Sequence, residues 1–307
     1  MEKLFKSASE WTKEHFGQRI QKVPVDGGFT CPNRDGKLSK IGCLYCNNKT
    51  FTPFYTDQKK SISNQLQNGI DFFSKRYNCD AFFAYFQTYS GTYAPIETLE
   101  NKYREALNFP KIKGLIIATR PDCIDDSIID LLLKLKKETY IRIEIGVESF
   151  DDKVLKVINR CHDSKTAINS IKLLRKAGID TSVHLIFGLP NEAEDATKNY
   201  AQLLSETGAN FVKLHHLQVV YGSRLAELYQ SNPSEIKLHN LNSYIAKIAD
   251  FLSYLNKDIY VERFINRVPK DMLIAPKFGN INENIFSEKL CNYMFRNKLF
   301  QGCKLKF

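Results

Sequence analysis

The strongest constraint on this chain is an order of elements: a short apolar, strand-like run followed by a segment with helical apolar spacing, repeated six times between residues 22 and 229. Residues 22–30, 81–86, 114–119, 140–147, 181–187 and 211–219 read as strands. The intervening and following segments read as helices: 61–77, 96–107, 126–137, a helical pattern through Ala177, 194–206 and 223–229. Short apolar strands separated by amphipathic helices bury a parallel sheet under a helical layer, and eight such units would close a full barrel. Six predict an α/β fold, a partial (β/α)6 barrel. Beyond it, residues 241–255 read as a helix, 259–268 as an extended piece and the last stretch as another helix. The expected organisation is therefore a barrel with an N-terminal lead-in over 1–230 and a helical, basic C-terminal extension over 231–307, packed on the barrel. In such sheets chemistry lies beyond the C-terminal strand ends, so the residues just after each strand are the functional candidates.

No apolar run is long enough to span a bilayer, and residues 1–20 are polar and amphipathic rather than a charged start with an apolar signal core. A cytoplasmic protein without membrane attachment is expected. Thiols are normally reduced there, so eight cysteines point to metal or redox chemistry before disulfides. A formal net charge of +10 suits polyanions such as nucleic acid. Past Glu288 the chain has Lys289, Arg296, Lys298, Lys304 and Lys306, no acids, and interleaved Tyr293, Phe295, Phe300 and Phe307. That pattern fits RNA backbone and stacking contacts, and equally a terminal helix packing aromatics on the core.

The first predicted strand runs into a loop bearing Cys31, Cys43 and Cys46. A structural zinc needs a fourth ligand, usually from a second Cys-x-x-Cys or a His pair, and no second Cys-x-x-Cys exists in the chain. Three thiolates on a four-iron cube leave one iron open to a small molecule. Spacing alone leaves both readings standing. Cys79, Cys123, Cys161, Cys291 and Cys303 read as ordinary packing thiols. His215 and His216, adjacent on a strand, point to opposite faces and are not expected to share a metal.

Residues 23–225 resemble the radical S-adenosylmethionine (SAM) superfamily, in the branch that contains the elongator catalytic subunit and the oxygen-independent coproporphyrinogen oxidase. The string Gly-Phe-Thr-Cys-Pro-Asn-Arg-Asp-Gly at 28–36 is similar to that of small bacterial members with a long cysteine loop. The resemblance implies a radical SAM barrel whose Cys31, Cys43 and Cys46 hold a [4Fe–4S] cluster, with Tyr45 beside the last of them. It implies that SAM binds the open iron and is cleaved there to a 5′-deoxyadenosyl radical, with a flavodoxin or ferredoxin as electron donor. Gln87, Thr88 and Ser90 stand where the family has a glycine-rich SAM segment, and only Gly91 remains as glycine. Thr119 follows the third strand in a position facing the cofactor, and Glu148 replaces the glutamine of a Gly-Val-Gln-Ser strand end. Arg160 matches an arginine that pairs with the SAM carboxylate, which suits a guanidinium fork. His184 replaces an acid that contacts ribose, and Tyr221 and Arg224 follow the sixth strand toward substrate. The substrate implied is tRNA, with removal of the carboxymethyl group from a wobble 5-carboxymethylaminomethyluridine. Oxidation of a tetrapyrrole or other small molecule is the alternative enzyme reading, and a zinc-stabilised RNA-binding protein the non-enzymatic one.

Overall fold

The computed structural model describes residues 4–77 and 79–305. In chain order its elements are α1 (Ala8–Phe16), β1 (Gln21–Val25), α2 (Ile62–Tyr77), β2 (Phe82–Phe86), α3 (Ile96–Leu107), β3 (Ile112–Thr119), α4 (Asp126–Lys136), β4 (Tyr140–Glu148), α5 (Asp152–Val157) and α6 (Ser164–Lys176). They continue with β5 (Asp180–Phe187), α7 (Ala196–Thr207), β6 (Phe211–His216), β7 (Val219–Val220), α8 (Arg224–Ser231), α9 (Leu241–Tyr254), β8 (Tyr260–Arg263), β9 (Leu273–Ala275) and α10 (Glu283–Arg296). Strands β1 to β6 lie side by side in sequence order, every pairing parallel, as the six-unit alternation requires.

Three strand ends differ from the sequence reading by three residues or more. β1 stops at Val25, because the next amide, that of Asp26, donates to Gln65 Oε1 at 2.8 Å instead of continuing the ladder. β6 ends at His216, and Val219–Val220 leaves the sheet to pair antiparallel with β9. The extended piece expected over 259–268 is β8, which pairs parallel with β6 as the seventh strand of the same sheet.

The strands alternate in a way that separates two environments. In β4, Ile141, Ile143, Ile145 and Val147 face the helical layer and join the main apolar core with Leu131, Leu132 and Ile171. Tyr140, Arg142, Glu144 and Gly146 occupy the opposite, concave face, as period-two geometry demands. The helix α1 closes that face at the N-terminal strand ends. It begins with a capping box: Glu10 N donates to Ser7 Oγ at 3.3 Å, and Ser7 N to Glu10 Oε2 at 3.2 Å. Ser-x-x-Glu was therefore a legible start signal in a stretch read only as polar and amphipathic.

Trp11 on α1 packs edge-on to Phe211 and against Tyr140, with the Arg142 guanidinium 4.9 Å from its ring. Truncating a buried aromatic costs about 3–5 kcal/mol, so Trp11→Ala should lose about that much in urea unfolding; a loss below about 1 kcal/mol would remove α1 from the core. α10 docks through Phe286, Leu290 and Met294, with Tyr293 partly buried, while Phe295 and Phe300 stay exposed. The tail is thus a packed helix with two outward aromatics; Lys306 and Phe307 lie outside the described residues. Among the described residues no helix is long and apolar enough to cross a membrane.

Candidate active site

At the C-terminal strand ends one cavity is bordered by Cys31, Cys43, Tyr45, Cys46, Gln87, Ser90, Thr119, Glu148, Arg160 and His184. These are the sequence candidates for the cluster and SAM, with one exception. Thr88 is buried but contributes nothing to the wall, since residues leaving a strand alternate faces and Gln87 takes the cavity side. Tyr221 and Arg224 are exposed and also stand outside the lining. Cys161 is exposed, contrary to the packing expected of it; its thiol reaches Asn33 Oδ1 at 3.1 Å.

The cysteine loop is held by contacts far apart in sequence. Leu44 N donates to Ile158 O and Leu225 N to Leu44 O, each at 2.9 Å, tying the loop between the ends of α5 and α8. Gly42 has φ +73°, a left-handed conformation that favours glycine, and a Cβ there would push the exposed Arg34 side chain aside. Asn33, fully buried, donates from Nδ2 to Cys43 Sγ at 3.3 Å and to Asn159 O at 2.6 Å. Arg160 Nη1 donates to the same sulfur at 3.4 Å. Two side-chain donors thus converge on Cys43. Burial, and then the neighbouring Cys43 sulfur, push the Cys46 thiol up to about 12, so it stays protonated until a metal displaces the proton.

Glu148 ends β4 at φ +70°, where the register with β5 shifts, and its carboxylate lies 3.7 Å from Arg160. Arg160 also donates to Gly146 O. A Cβ at Gly146 would stand 2.7 Å from Arg160 Nη2 and 2.8 Å from Glu148 Oε1. Only glycine leaves room for that pair. Tyr45 is kept neutral, because burial and then Glu148 raise its pKa well above the usual value.

Beneath this tier the concave face is ionic. Glu144, fully buried, accepts from Tyr85 Oη at 2.6 Å, Lys213 Nζ at 2.7 Å and His184 Nε2 at 2.9 Å, and pairs with Lys22. Burial and then Lys213 lower the His184 pKa, so the ring is neutral. Lys22 bridges on to Glu262, which also meets Arg142 at 3.3 Å. None of Lys22, Glu144, Lys213 or Glu262 was singled out from the sequence, yet the signal was present as polar residues at alternate positions of β4, β5 and β6.

The family model described as "Radical SAM superfamily" matches residues 31–204, and that described as "Radical_SAM C-terminal domain" matches 209–290. The chain belongs to the radical SAM superfamily. The Bacillus subtilis (strain 168) protein YtqA is 30% identical over 278 residues, 91% of this chain and 86% of YtqA. A Methanocaldococcus infernus protein named tRNA uridine(34) acetyltransferase is 26% identical over 177 residues, 56% of this chain and 32% of that one. The structure of archaeal M. infernus Elp3 superposes with a TM-score of 0.66 at 19% identity, covering 92% of this chain and 64% of that chain, a likeness of fold.

This radical SAM protein is accordingly an enzyme, and its cofactors are a [4Fe–4S] cluster and SAM. The zinc-only reading falls with that membership. The residues present fit the group. Among the described residues no three His, Cys, Asp or Glu side chains are arranged to hold a metal ion; what the three thiols share is the wall of one cavity. Donors aimed at Cys43 suit a thiolate, which accepts charge-assisted hydrogen bonds. The buried Nε of Arg160 has no hydrogen-bond partner among the described residues, a donor left available at the cavity wall.

Proposed function

We propose that this enzyme acts on tRNA, removing the carboxymethyl group of a wobble 5-carboxymethylaminomethyluridine as glyoxylate, with SAM as the net two-electron oxidant and water supplying the aldehyde oxygen, to leave the aminomethyl form. The reading is carried by the likeness of the barrel to a protein whose name places its action on uridine 34 of tRNA. A net charge of +10 supports it, since phosphate contacts dominate affinity for nucleic acid.

Cys31, Cys43 and Cys46 are the thiolate ligands in this reading, and a flavodoxin or ferredoxin is the electron donor. When bound, the reduced cluster supplies the electron that cleaves SAM to methionine and a 5′-deoxyadenosyl radical. The chain's own residues then position and exclude. Arg160 takes the SAM carboxylate and Glu148 its ammonium or ribose hydroxyls, each as a charge-assisted contact. Gln87, Ser90, Thr119 and Tyr45 complete the SAM wall, and His184, kept neutral by burial and Lys213 and oriented by its hydrogen bond to Glu144, offers its remaining edge to the ribose.

Cluster-loaded enzyme incubated with tRNA carrying the carboxymethylaminomethyl group, SAM and reductant should yield 5-aminomethyluridine on nucleoside mass analysis. Binding of that tRNA should weaken steeply as salt rises, by about a thousandfold between 50 and 200 mM for six phosphate contacts. Unchanged tRNA together with flat salt dependence would move the substrate to a small molecule.

A further inference from the structure

The floor of the cavity carries more positive charge than the protein neutralises. Lys22, Arg142, Lys213 and Arg263 gather at and just beneath it, and among the described residues the carboxylates that pair with these cations are Glu144 and Glu262, while Glu283, buried near Arg263, is taken up by the Phe264 and Ile265 amides. Three of the cations are paired: Lys22 with both acids, Arg142 with Glu262 at 3.3 Å and Lys213 with Glu144 at 2.7 Å. Higher on the wall, Arg120 is held by Asp122 at 2.9 Å and Arg160 by Glu148 at 3.7 Å. Arg263, at the end of β8, borders the cavity and has no carboxylate within ion-pair distance among the described residues. Its Nε is sealed from solvent without a hydrogen-bond partner.

Among the described residues, the side chain in hydrogen-bond contact with Arg263 supplies no counter-charge. Arg263 Nη2 lies 3.3 Å from His215 Nε2. Burial first, then Arg263, His184 and Lys213, push the His215 pKa well below its usual value, so the ring is neutral and accepts from the guanidinium. Arg263 is thus a half-buried guanidinium with no ion-paired carboxylate among the described residues and an Nε shut off from water, an arrangement that a carboxylate brought by a ligand would complete. The cofactors do not bring the missing charge. An oxidised cluster on three thiolates carries one net negative charge and SAM one net positive charge, so together they cancel.

We propose that Arg263, oriented by His215, binds a carboxylate of the substrate at the cavity floor and so selects a carboxylate-bearing side chain. The inference rests on the wobble-uridine reading, in which the group removed ends in a carboxylate. A planar guanidinium suits that anion through paired, charge-assisted hydrogen bonds. SAM also has a carboxylate, and the test separates the two sources.

Anticodon stem-loops bearing either the carboxymethylaminomethyl group or its methyl ester would be titrated against cluster-loaded enzyme with SAM, for wild type, Arg263→Gln and Arg263→Lys. Wild type should prefer the free carboxylate by about tenfold or more. Arg263→Gln should bind both loops alike, and Arg263→Lys should fall between, with SAM affinity unchanged in each. A preference that survives in Arg263→Gln overturns the proposal. So does loss of SAM affinity with the loop preference intact, because the carboxylate at Arg263 is then that of SAM. If neither loop binds wild type, the tRNA reading fails by itself, and ligand-observed NMR with N-benzylglycine and benzylamine decides the subsite. Contact with N-benzylglycine alone, lost in Arg263→Gln, sustains it; equal behaviour of the two compounds overturns it.

Discussion

Replacing Cys43 by alanine should give a folded, colourless protein that releases no 5′-deoxyadenosine from SAM after anaerobic loading with iron and sulfide. Cys43 is the most enclosed of the three loop thiols and the one toward which Asn33 and Arg160 both donate. Changing a residue that only orients a metal ligand typically costs about 10–100-fold in metal affinity or activity, and losing the ligand itself costs more. Asn33→Ala should therefore fall between Cys43→Ala and wild type, keeping the brown colour but losing about 10–100-fold in SAM cleavage. Cys161→Ala is the matched control, since its thiol is exposed and contacts Asn33 rather than the cavity. Iron content, visible absorption and 5′-deoxyadenosine yield read all three variants. A brown, active Cys43→Ala would remove the triplet from the cluster site.

The largest stability effect should come from Glu144. Its carboxylate is the hub for Lys22, Lys213, His184 and Tyr85. Glu144→Gln strands the buried Lys213 ammonium and leaves Lys22 with Glu262 alone, and breaking a buried pair from one side costs about 3–5 kcal/mol. Urea unfolding at pH 7 should show a loss of that size, partly restored by adding Lys213→Met, which removes one stranded cation. No loss in the single variant, or no recovery in the double, would mean that the network contributes little. The wild type should carry a pH signature of the same cluster. Burial alone would raise the Glu144 pKa, yet Lys213, Lys22 and the His184 hydrogen bond outweigh it and hold the carboxyl well below 4.5. Because the folded pKa is the lower one, this stabilisation is complete above pH 4.5 and drains away as pH falls through the folded value. Glu144→Gln should flatten that part of the acid unfolding curve.

The β/α alternation of the sequence carried six strands and their helices, because each strand buries one apolar row against a helix and period-two and period-3.6 patterns differ plainly. The seventh strand escaped for a physical reason. Tyr260–Arg263 is only four residues long and half polar, and it pairs across a long connection through α8 and α9. That the three loop thiols meet at one cavity was legible because they lie within 16 residues of one another, from Cys31 to Cys46. The ionic floor was not, because its members come from separate strands: Lys22 meets Glu262 across 240 positions, and Lys213 meets Glu144 across 69. In β4 the alternating Arg142 and Glu144 signalled a polar inner face, but an apolar strand average hides such a row. Asn33 and Arg263 carry no local pattern, and only folding reveals that one donates to Cys43 and that the other has no ion-paired carboxylate among the described residues.

The most direct test of the account follows one hydrogen atom. Cluster-loaded enzyme would be given SAM, reductant and tRNA whose wobble-uridine carboxymethyl carbon is deuterated, and the 5′-deoxyadenosine analysed by mass spectrometry. The account predicts one deuterium in the released 5′-deoxyadenosine, in step with appearance of 5-aminomethyluridine. Unlabelled 5′-deoxyadenosine beside an intact carboxymethyl group would contradict it and leave a radical SAM enzyme with another substrate.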